Sequence, residues 1–175
     1  MAMVADTPVL QITGYQNSGK TTVAEELIAY AACHNLKIGS IKHHGHGGVP
    51  YGSIDSKDSG RHLKAGAAIA SAEGEGLLQL INQDNRWDLE QLVHLYSGLS
   101  LDGILVEGYK KENFPKIVMI RQESDRKLVN ELTNIAAVIS DHSGIPAKEP
   151  SYQLFRSTEK ERYCQWFIDF LRGRA

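Results

Sequence analysis

The chain contains few of the features that mark secreted, membrane-bound or nucleic-acid-binding proteins. It has 2 cysteines in 175 residues, no run of 18 apolar residues and a formal net charge of −2. Cys33 and Cys164 lie too far apart for a metal or redox motif, so we expect both to be small buried residues in a reducing compartment. The absence of an apolar span, of an N-terminal signal and of a basic stripe predicts a cytoplasmic protein that binds neither membranes nor nucleic acid.

The most informative segment that is present covers residues 14–21. Gly14, Gly19, Lys20 and Thr21 fit the phosphate-binding pattern of Gly, any four residues, Gly, Lys, and Ser or Thr. Glycine lets the backbone turn its N–H groups toward phosphate oxygens, Lys20 supplies a charge for the β- and γ-phosphates, and the Thr21 hydroxyl can ligate Mg²⁺. The alternative is a glycine-rich turn that binds no ligand.

The residues on either side of this loop favour the phosphate-binding interpretation. Residues 8–13 form a short apolar run suited to a buried strand, and a helical pattern follows the loop. The positive end of that helix would point at the same anion. The apolar face of the predicted helix consists of Val23, Leu27, Tyr30 and Ala31.

Short apolar runs alternate with helical patterns along the rest of the chain. The last strand is predicted at residues 136–140, and Thr158 with Glu161 has the spacing of a capping box that begins a final helix. This alternation predicts an α/β, three-layer P-loop NTPase fold with a mostly parallel central sheet flanked by helices. The length and the lack of a linker predict a single nucleotide-binding domain over residues 1–175.

Two carboxylates are candidates for a metal site. Glu107 ends the apolar run of residues 104–106, where phosphate-loop proteins place their second Mg²⁺ partner, and Gly108 after it would let a backbone N–H approach the γ-phosphate. Asp58 could join the Mg²⁺ shell or hold an attacking water. A solvated carboxylate at a strand end and an acid at a helix N-terminus are the structural alternatives.

A histidine cluster follows the second predicted strand. His43, His44 and His46 could contact phosphate or an anionic substrate, or bind a transition metal, and Lys42 adds positive charge beside them. Metal sites normally bring Cys or acids as well, which favours contact with the ligand.

Asp141 follows the last predicted strand and is a candidate for reading the base. A carboxylate can accept hydrogen bonds from both the ring N–H and the exocyclic amine of guanine, whereas adenine offers no such pair of donors. The Asn-Lys-x-Asp pattern that usually marks guanine specificity is reduced here to the Asp alone. The structural alternative is an aspartate in the turn before Ser143 and Gly144.

Together these motifs give the chain a resemblance to the molybdopterin-guanine dinucleotide biosynthesis protein B family of GTP-binding proteins. The resemblance covers most of the chain. The segments that carry it are residues 14–22, 41–44, 57–59, 64–67, 104–110 and 116–118, followed by Arg121.

The resemblance implies a phosphate-loop protein that binds GTP with Mg²⁺, hydrolyses it weakly and forms homodimers. It also implies that the protein acts mainly as an adapter, assisting the guanylyltransferase that attaches GMP to the molybdopterin cofactor. Lys20, Asp58 and Glu107 are then the candidate catalytic residues, and Thr21, Glu107 and Asp58 the Mg²⁺ ligands. The residues assigned to nucleotide binding are Gly14, Gln16, Asn17, Ser18, Gly19, Lys20, Thr21, Thr22, His43, His44, Gly108 and Asp141.

One departure and two rival functions accompany this interpretation. The segment after His44 is richer in glycine than the acidic version associated with the family, which leaves the role of His46 open. A nickel-insertion GTPase would explain the histidines, but this chain has no cysteine near them. An ATP-dependent small-molecule kinase or ligase would need a lid with phosphate-binding arginines, and no such lid is identifiable in the sequence.

Overall fold

The computed structural model describes residues 7–43, 58–83, 87–145 and 152–174, and for residues 58 and 59 only the backbone. The chain divides into two compact units, the first formed by Met1–His43 with Leu92–Ala175 and the second by His44–Gln91. In chain order the elements are β1 (Val9–Thr13), α1 (Lys20–Cys33), β2 (Ile38–Lys42), α2 (Asp58–Lys64), β3 (Ile69–Gly74), β4 (Leu77–Asn82), α3 (Leu89–Ser97), β5 (Gly103–Glu107), β6 (Lys116–Ile120), a 3-10 helix (Glu123–Arg126), α4 (Lys127–Glu131), β7 (Ile135–Ser140), β8 (Gln153–Phe155) and α5 (Lys160–Leu171).

Six strands of the first unit form one parallel sheet in the order β2-β5-β1-β6-β7-β8. Strand β1 lies between β5 and β6, so the loop after it leaves the sheet near its middle. Because all six strands run the same way, their carboxyl ends meet at one edge, where open α/β sheets bind ligands. The predicted α/β fold with a mostly parallel central sheet is confirmed.

Helices α1 and α5 cover one face of this sheet. The apolar residues of β1, β5, β6 and β7 on this face are almost fully buried, as near-continuous apolar strands require. The helix residues that complete this core are Val23, Ala24, Leu27 and Ala31 of α1 and Tyr163, Cys164, Phe167 and Ile168 of α5.

The opposite face of β6 and β7 packs against the short helices that follow β6. Val118 and Val138 from the strands contact Leu128, Val129 and the residues around them in a second buried cluster. Burial on both faces gives the first unit three layers. The 3-10 helix and α4 were not predicted from the sequence, because each is too short for an apolar period to stand out.

The second unit contains α2 and the antiparallel hairpin of β3 and β4. The turn occupies Glu75 and Gly76, which both have positive φ (50° and 82°). That pairing is typical of a two-residue type I′ turn, whose twist matches that of the strands. Asp88 and Gln91 then form reciprocal hydrogen bonds of 2.7 and 3.1 Å at the start of α3.

Three sequence-based expectations were wrong: two about the elements and one about the burial of Cys33. Strand β8 follows the one predicted to be last. The predicted capping box of Thr158 and Glu161 is absent: the turn closed by Glu159 N–H donating to Arg156 O moves the helix start to Lys160. Cys33 is exposed, since it lies two residues beyond buried Ala31, about 200° further round the helix.

Two further expectations concern burial and membranes. Cys164 is fully buried, as predicted. Among the described residues, no helix combines the length and apolar composition needed to cross a membrane.

Candidate functional site

The 14–21 loop connects the carboxyl end of β1 to the first turn of α1. Gly19 is the N-cap of α1, and both Gly19 and Asn17 have left-handed φ, 88° and 59°. Left-handed residues inside a loop turn neighbouring N–H groups toward one side, which is the backbone arrangement of an anion-binding concavity. The sequence therefore forms the strand, loop and helix that a phosphate-binding motif requires.

Gly14 begins this loop at a point where no side chain fits. A Cβ atom there would lie 2.6 Å from Ser18 Oγ and 3.0 Å from Met119 Cβ. The backbone of the loop therefore packs directly on β6. Ser18 is itself buried, and its Oγ has no hydrogen-bond partner among the described residues, so a polar ligand atom at the loop would satisfy it.

Side chains from the segments after β6 and β7 hold the loop in place. Arg121 Nη1 donates to Asn17 O at 2.5 Å, and His142 Nε2 lies 2.7 Å from Arg121 O. The carbonyl can only accept, so this histidine nitrogen carries the proton. The segments that follow β6 and β7 thus support the loop that follows β1.

Tyr15 lies in the loop, and two lysine ammonium groups lie over its ring. Lys110 Nζ lies 4.8 Å and Lys127 Nζ 5.5 Å from the ring centre, both within cation–π range. Tyr15 also packs on the second buried cluster. This contact was not predictable from the sequence, because Lys127 belongs to the unpredicted α4.

Lys20 points back over the loop, where its Nζ donates to Tyr15 O at 2.6 Å. Partial burial lowers the pKa of Lys20, and the charges of Lys42 and Lys110 lower it further, while Glu107 raises it. A cation that is partly desolvated and surrounded by like charge gains most from an anionic ligand.

Thr21, Lys42 and Glu107 meet where α1, β2 and β5 come together. Lys42 and Glu107 are paired across neighbouring strands. Thr21 Oγ1 lies 3.0 Å from both carboxylate oxygens of Glu107, and Lys42 Nζ lies 3.1 Å from Thr21 Oγ1 and 3.2 Å from Glu107 Oε2. Two of the three groups predicted to ligate Mg²⁺ are therefore in contact, and hydroxyl and carboxylate oxygens are the ligands that this ion prefers.

Gly108 lets β2 and β5 approach each other closely at the same edge. Its φ is 101°, and a Cβ there would lie 2.9 Å from His43 Cβ. The His43 ring lies against the Tyr109 ring at a centroid distance of 4.4 Å and an interplanar angle of 45°. His43 therefore lies beside Gly108 and Glu107, and its contact with a ligand stays a prediction.

Gln11, in β1, supports the backbone turn at Gly108 and Tyr109. Gln11 was not predicted from the sequence as a site residue. Its Nε2 donates to Tyr109 O at 2.9 Å and to Gly108 O at 3.2 Å, while its Oε1 accepts from Phe114 N–H at 3.3 Å. Gln11 is fully buried. The available signal was a polar amide within the apolar run of β1, because a buried amide must find partners.

Asp141 lies at the carboxyl end of β7, and its carboxylate already has a partner. Its Oδ1 accepts from Ser157 N–H at 2.9 Å and its Oδ2 accepts from Ser157 Oγ at 2.6 Å. These hydrogen bonds lower the pKa of Asp141. The side chain connects the end of β7 to the segment before α5, and the remaining lone pairs could still accept from a base.

The other predicted site residues fall into two groups. Gln16 and Thr22 are exposed beside the loop. His44, His46 and the side chain of Asp58 lie outside the described residues, so their assigned roles stay predictions. Within the described ranges, no three His, Cys, Asp or Glu side chains are grouped as metal ligands.

Comparisons with known proteins agree on one family. A family model described as Molybdopterin guanine dinucleotide synthesis protein B matches residues 9–141. A Bacillus subtilis (strain 168) protein described as a probable molybdopterin-guanine dinucleotide biosynthesis adapter protein is 40% identical over 153 residues, 83% of this chain and 87% of the relative. A Haemophilus influenzae adapter protein is 32% identical over 136 residues, 77% of this chain and 75% of the relative.

Solved structures give the same result. The crystal structure of Bacillus subtilis MobB superposes with a TM-score of 0.74 at 34% identity, covering 95% of this chain and 99% of the other. A MobB homologue from Bacillus stearothermophilus superposes with a TM-score of 0.71 at 35% identity, with the same coverage.

Proposed function

The chain belongs to the molybdopterin guanine dinucleotide synthesis protein B (MobB) family, and from that premise we propose that it is a GTP-binding adapter in the biosynthesis of molybdopterin guanine dinucleotide. In this role it binds GTP with Mg²⁺ at the 14–21 loop and hydrolyses it slowly. Its partners are the molybdopterin cofactor and the guanylyltransferase that modifies it.

The charge distribution around the loop carries the nucleotide part of this proposal. The charges of Lys42 and Lys110 both act on the Lys20 ammonium there, and Glu107 is the acid whose charge acts on it. Such an excess of positive charge beside inward-turned N–H groups favours a ligand with several negative charges. A triphosphate chelating a divalent cation fits this requirement.

Each residue of the site has a definite part in this proposal. The backbone from Gly14 to Thr22 and the Lys20 ammonium hold the phosphates, while Thr21 and Glu107 hold Mg²⁺. Bound Mg²⁺ neutralises charge that develops on the transferring phosphoryl group. Asp58 and the histidines at 43 and 44 are proposed to face the γ-phosphate or the pterin partner.

Base selection is the most specific part of the proposal. Asp141 stands at the carboxyl end of β7, two strands from β1 in the sheet order. Its acceptor oxygens match the two donors on the guanine edge. Preference for GTP over ATP is the expected consequence.

Slow hydrolysis suits an adapter, which has to present its nucleotide to a partner rather than turn it over quickly.

We also propose that two copies of the chain associate, which analytical ultracentrifugation with and without nucleotide would detect. A monomer at every concentration and ligand condition would contradict the dimer alone and leave nucleotide binding untouched.

The first experiment is an equilibrium titration with GTP and with ATP, each with Mg²⁺, on the unmodified chain and on Lys20→Ala. We expect a preference for GTP and a loss of about 10- to 150-fold in affinity for the variant, because it removes a charge-assisted contact of about 1.5–3 kcal/mol. Lys37→Ala, which changes an exposed lysine just before β2, is the matched control. Equal affinity for all three proteins, with the fold intact by circular dichroism, would contradict the proposal.

A further inference from the structure

Lys42 contacts both of the groups that the proposed function assigns to Mg²⁺. Its ammonium lies 3.1 Å from Thr21 Oγ1 and 3.2 Å from Glu107 Oε2, while Thr21 Oγ1 lies 3.0 Å from both carboxylate oxygens. We call these three residues the Thr21–Lys42–Glu107 cluster. Within it the hydroxyl accepts from the ammonium and donates to the carboxylate.

The backbone fixes this arrangement. Lys42 and Glu107 are direct partners in the parallel pairing of β2 and β5, so their side chains leave the sheet at the same level. The Glu107 side chain retains 13% of its exposure and the Lys42 side chain 59%. The carboxylate is thus mostly buried and needs a nearby cation, whereas the lysine stem is free enough to move away.

The same position cannot hold two cations. An Mg²⁺ ion held by Thr21 and Glu107 would need contact with oxygens from which the Lys42 ammonium already lies only 3.1 and 3.2 Å away. Like charges a few ångströms apart repel strongly in a partly desolvated site. Either the ammonium or the divalent ion can therefore neutralise Glu107, but not both at this position.

We propose a stand-in role for the Lys42 ammonium, which takes the place of the divalent cation beside Thr21 and Glu107. It holds Thr21 and Glu107 in place while no metal is bound, and it excludes free divalent ions until a phosphate-bearing ligand offers the ammonium another partner. This inference rests on the proposed function, because that function assigns Thr21 and Glu107 to Mg²⁺. It makes metal and nucleotide binding mutually dependent through one side chain.

The test is a titration with Mn²⁺ in the absence of nucleotide. Electron paramagnetic resonance detects the Mn²⁺ that stays free, and the bound fraction follows by difference. Lys42→Met and Lys42→Gln remove the charge, and the glutamine keeps a hydrogen-bond donor for Glu107 in case the methionine variant does not fold. Removing a close like charge should tighten Mn²⁺ binding about 10-fold or more. Lys37→Met, which makes the same change in charge at the other end of β2, should bind Mn²⁺ as the unmodified chain does.

A double variant locates the ion. Adding Glu107→Gln to Lys42→Gln should abolish the gain, because it removes the carboxylate ligand. If folded Lys42→Gln binds Mn²⁺ no more tightly than the unmodified chain, or shows no binding, the stand-in role is wrong. A gain that survives Glu107→Gln would also overturn it, because the ion would then bind elsewhere.

Titration of the same proteins with GTP separates this inference from the function on which it rests. If GTP binds normally while Mn²⁺ affinity is insensitive to Lys42, the stand-in role fails and the nucleotide site stands. If Lys42→Gln gains Mn²⁺ affinity through Glu107 but no protein binds a nucleotide, the cation site stands and the proposed function fails.

Discussion

At the scale of single residues, Asp141 combines two possible roles that substitution can separate. Both of its oxygens accept hydrogen bonds from Ser157, and these bonds lower its pKa. The stability that they contribute is present above the ordinary carboxyl pKa and is lost as the pH falls through the lowered one. A purely structural role would end there, whereas the proposed function also requires Asp141 to recognise guanine.

Asp141→Asn should lower GTP affinity by roughly 10-fold or more and improve binding of xanthosine triphosphate. The reason is that an amide can donate to the carbonyl that xanthine carries in place of the guanine amine. Equilibrium titration with both nucleotides measures this exchange. Ser157→Ala, which keeps the carboxylate, is the control and should retain GTP binding while lowering the melting temperature.

If Asp141→Asn and Ser157→Ala both lower the melting temperature and neither changes nucleotide affinity, Asp141 is only a structural connection between β7 and the segment before α5.

The two cysteines differ in environment, and their reactivity should report it. Burial, reinforced by the charge of Glu26, raises the pKa of the Cys164 thiol to about 11, and its side chain is inaccessible. Cys33 is exposed. Because the thiolate is the nucleophile, iodoacetamide at pH 8 should modify Cys33 and spare Cys164.

Mass spectrometry of the labelled protein measures this selectivity. One adduct is expected on the folded chain and two after denaturation, with Cys33→Ser giving none while folded. Rapid labelling of Cys164 in the folded protein would mean that α5 does not pack on the sheet as described.

At the scale of elements, the edge strand β8 shows how little sequence is needed to extend a sheet. It has three residues, of which Phe155 is buried and Leu154 is half exposed. Phe155 packs near the rings of Tyr163 and Trp166, at centroid distances of 6.3 and 5.9 Å. The strand is held by this one anchor as well as by its pairing with β7.

Phe155→Ala should lower the free energy of unfolding by about 3–5 kcal/mol, because it removes a large buried ring from the core. Leu154→Ala, the matched control in the same strand, should cost about 1 kcal/mol or less, because its side chain is half exposed already. Urea denaturation measures both. Similar costs for the two variants would mean that Phe155 is not buried as described.

At the scale of the whole molecule, bound nucleotide should stabilise the folded chain. A ligand at about 100 times its dissociation constant adds roughly 2.7 kcal/mol to the free energy of unfolding. For a chain of 175 residues this corresponds to a rise of roughly 5–11 °C in melting temperature. Thermal denaturation with GTP and Mg²⁺ measures it.

Lys20→Ala is the control for this stabilisation, since an affinity lower by about 10- to 150-fold should remove roughly half to nine-tenths of the rise at the same nucleotide concentration. A rise of equal size in the variant would show that the nucleotide binds away from the 14–21 loop.

The adapter role can be tested with the same protein preparation. The assay measures whether adding the chain increases the yield of guanine dinucleotide from a guanylyltransferase.

The 14–21 loop, its flanking strand and helix, the fold class and the family were all predictable from the sequence. These features depend on local geometry: glycine conformations, apolar periods and a fixed spacing of Gly, Lys and Thr. The same local reasoning placed Glu107 at a strand end. It failed where a residue's environment depends on turns and angles that patterns do not encode, as for Cys33 and the predicted capping box.

Contacts between distant residues, in contrast, depend on the tertiary structure. The strand order puts β5 between β1 and β2, so Lys42 faces Glu107 and both reach Thr21. It also pairs Asp141 with Ser157 and makes Gln11 the support of the turn at Gly108. The physical reason is that parallel strands are paired by contacts between segments far apart in the chain, and no local pattern specifies which strand lies beside which.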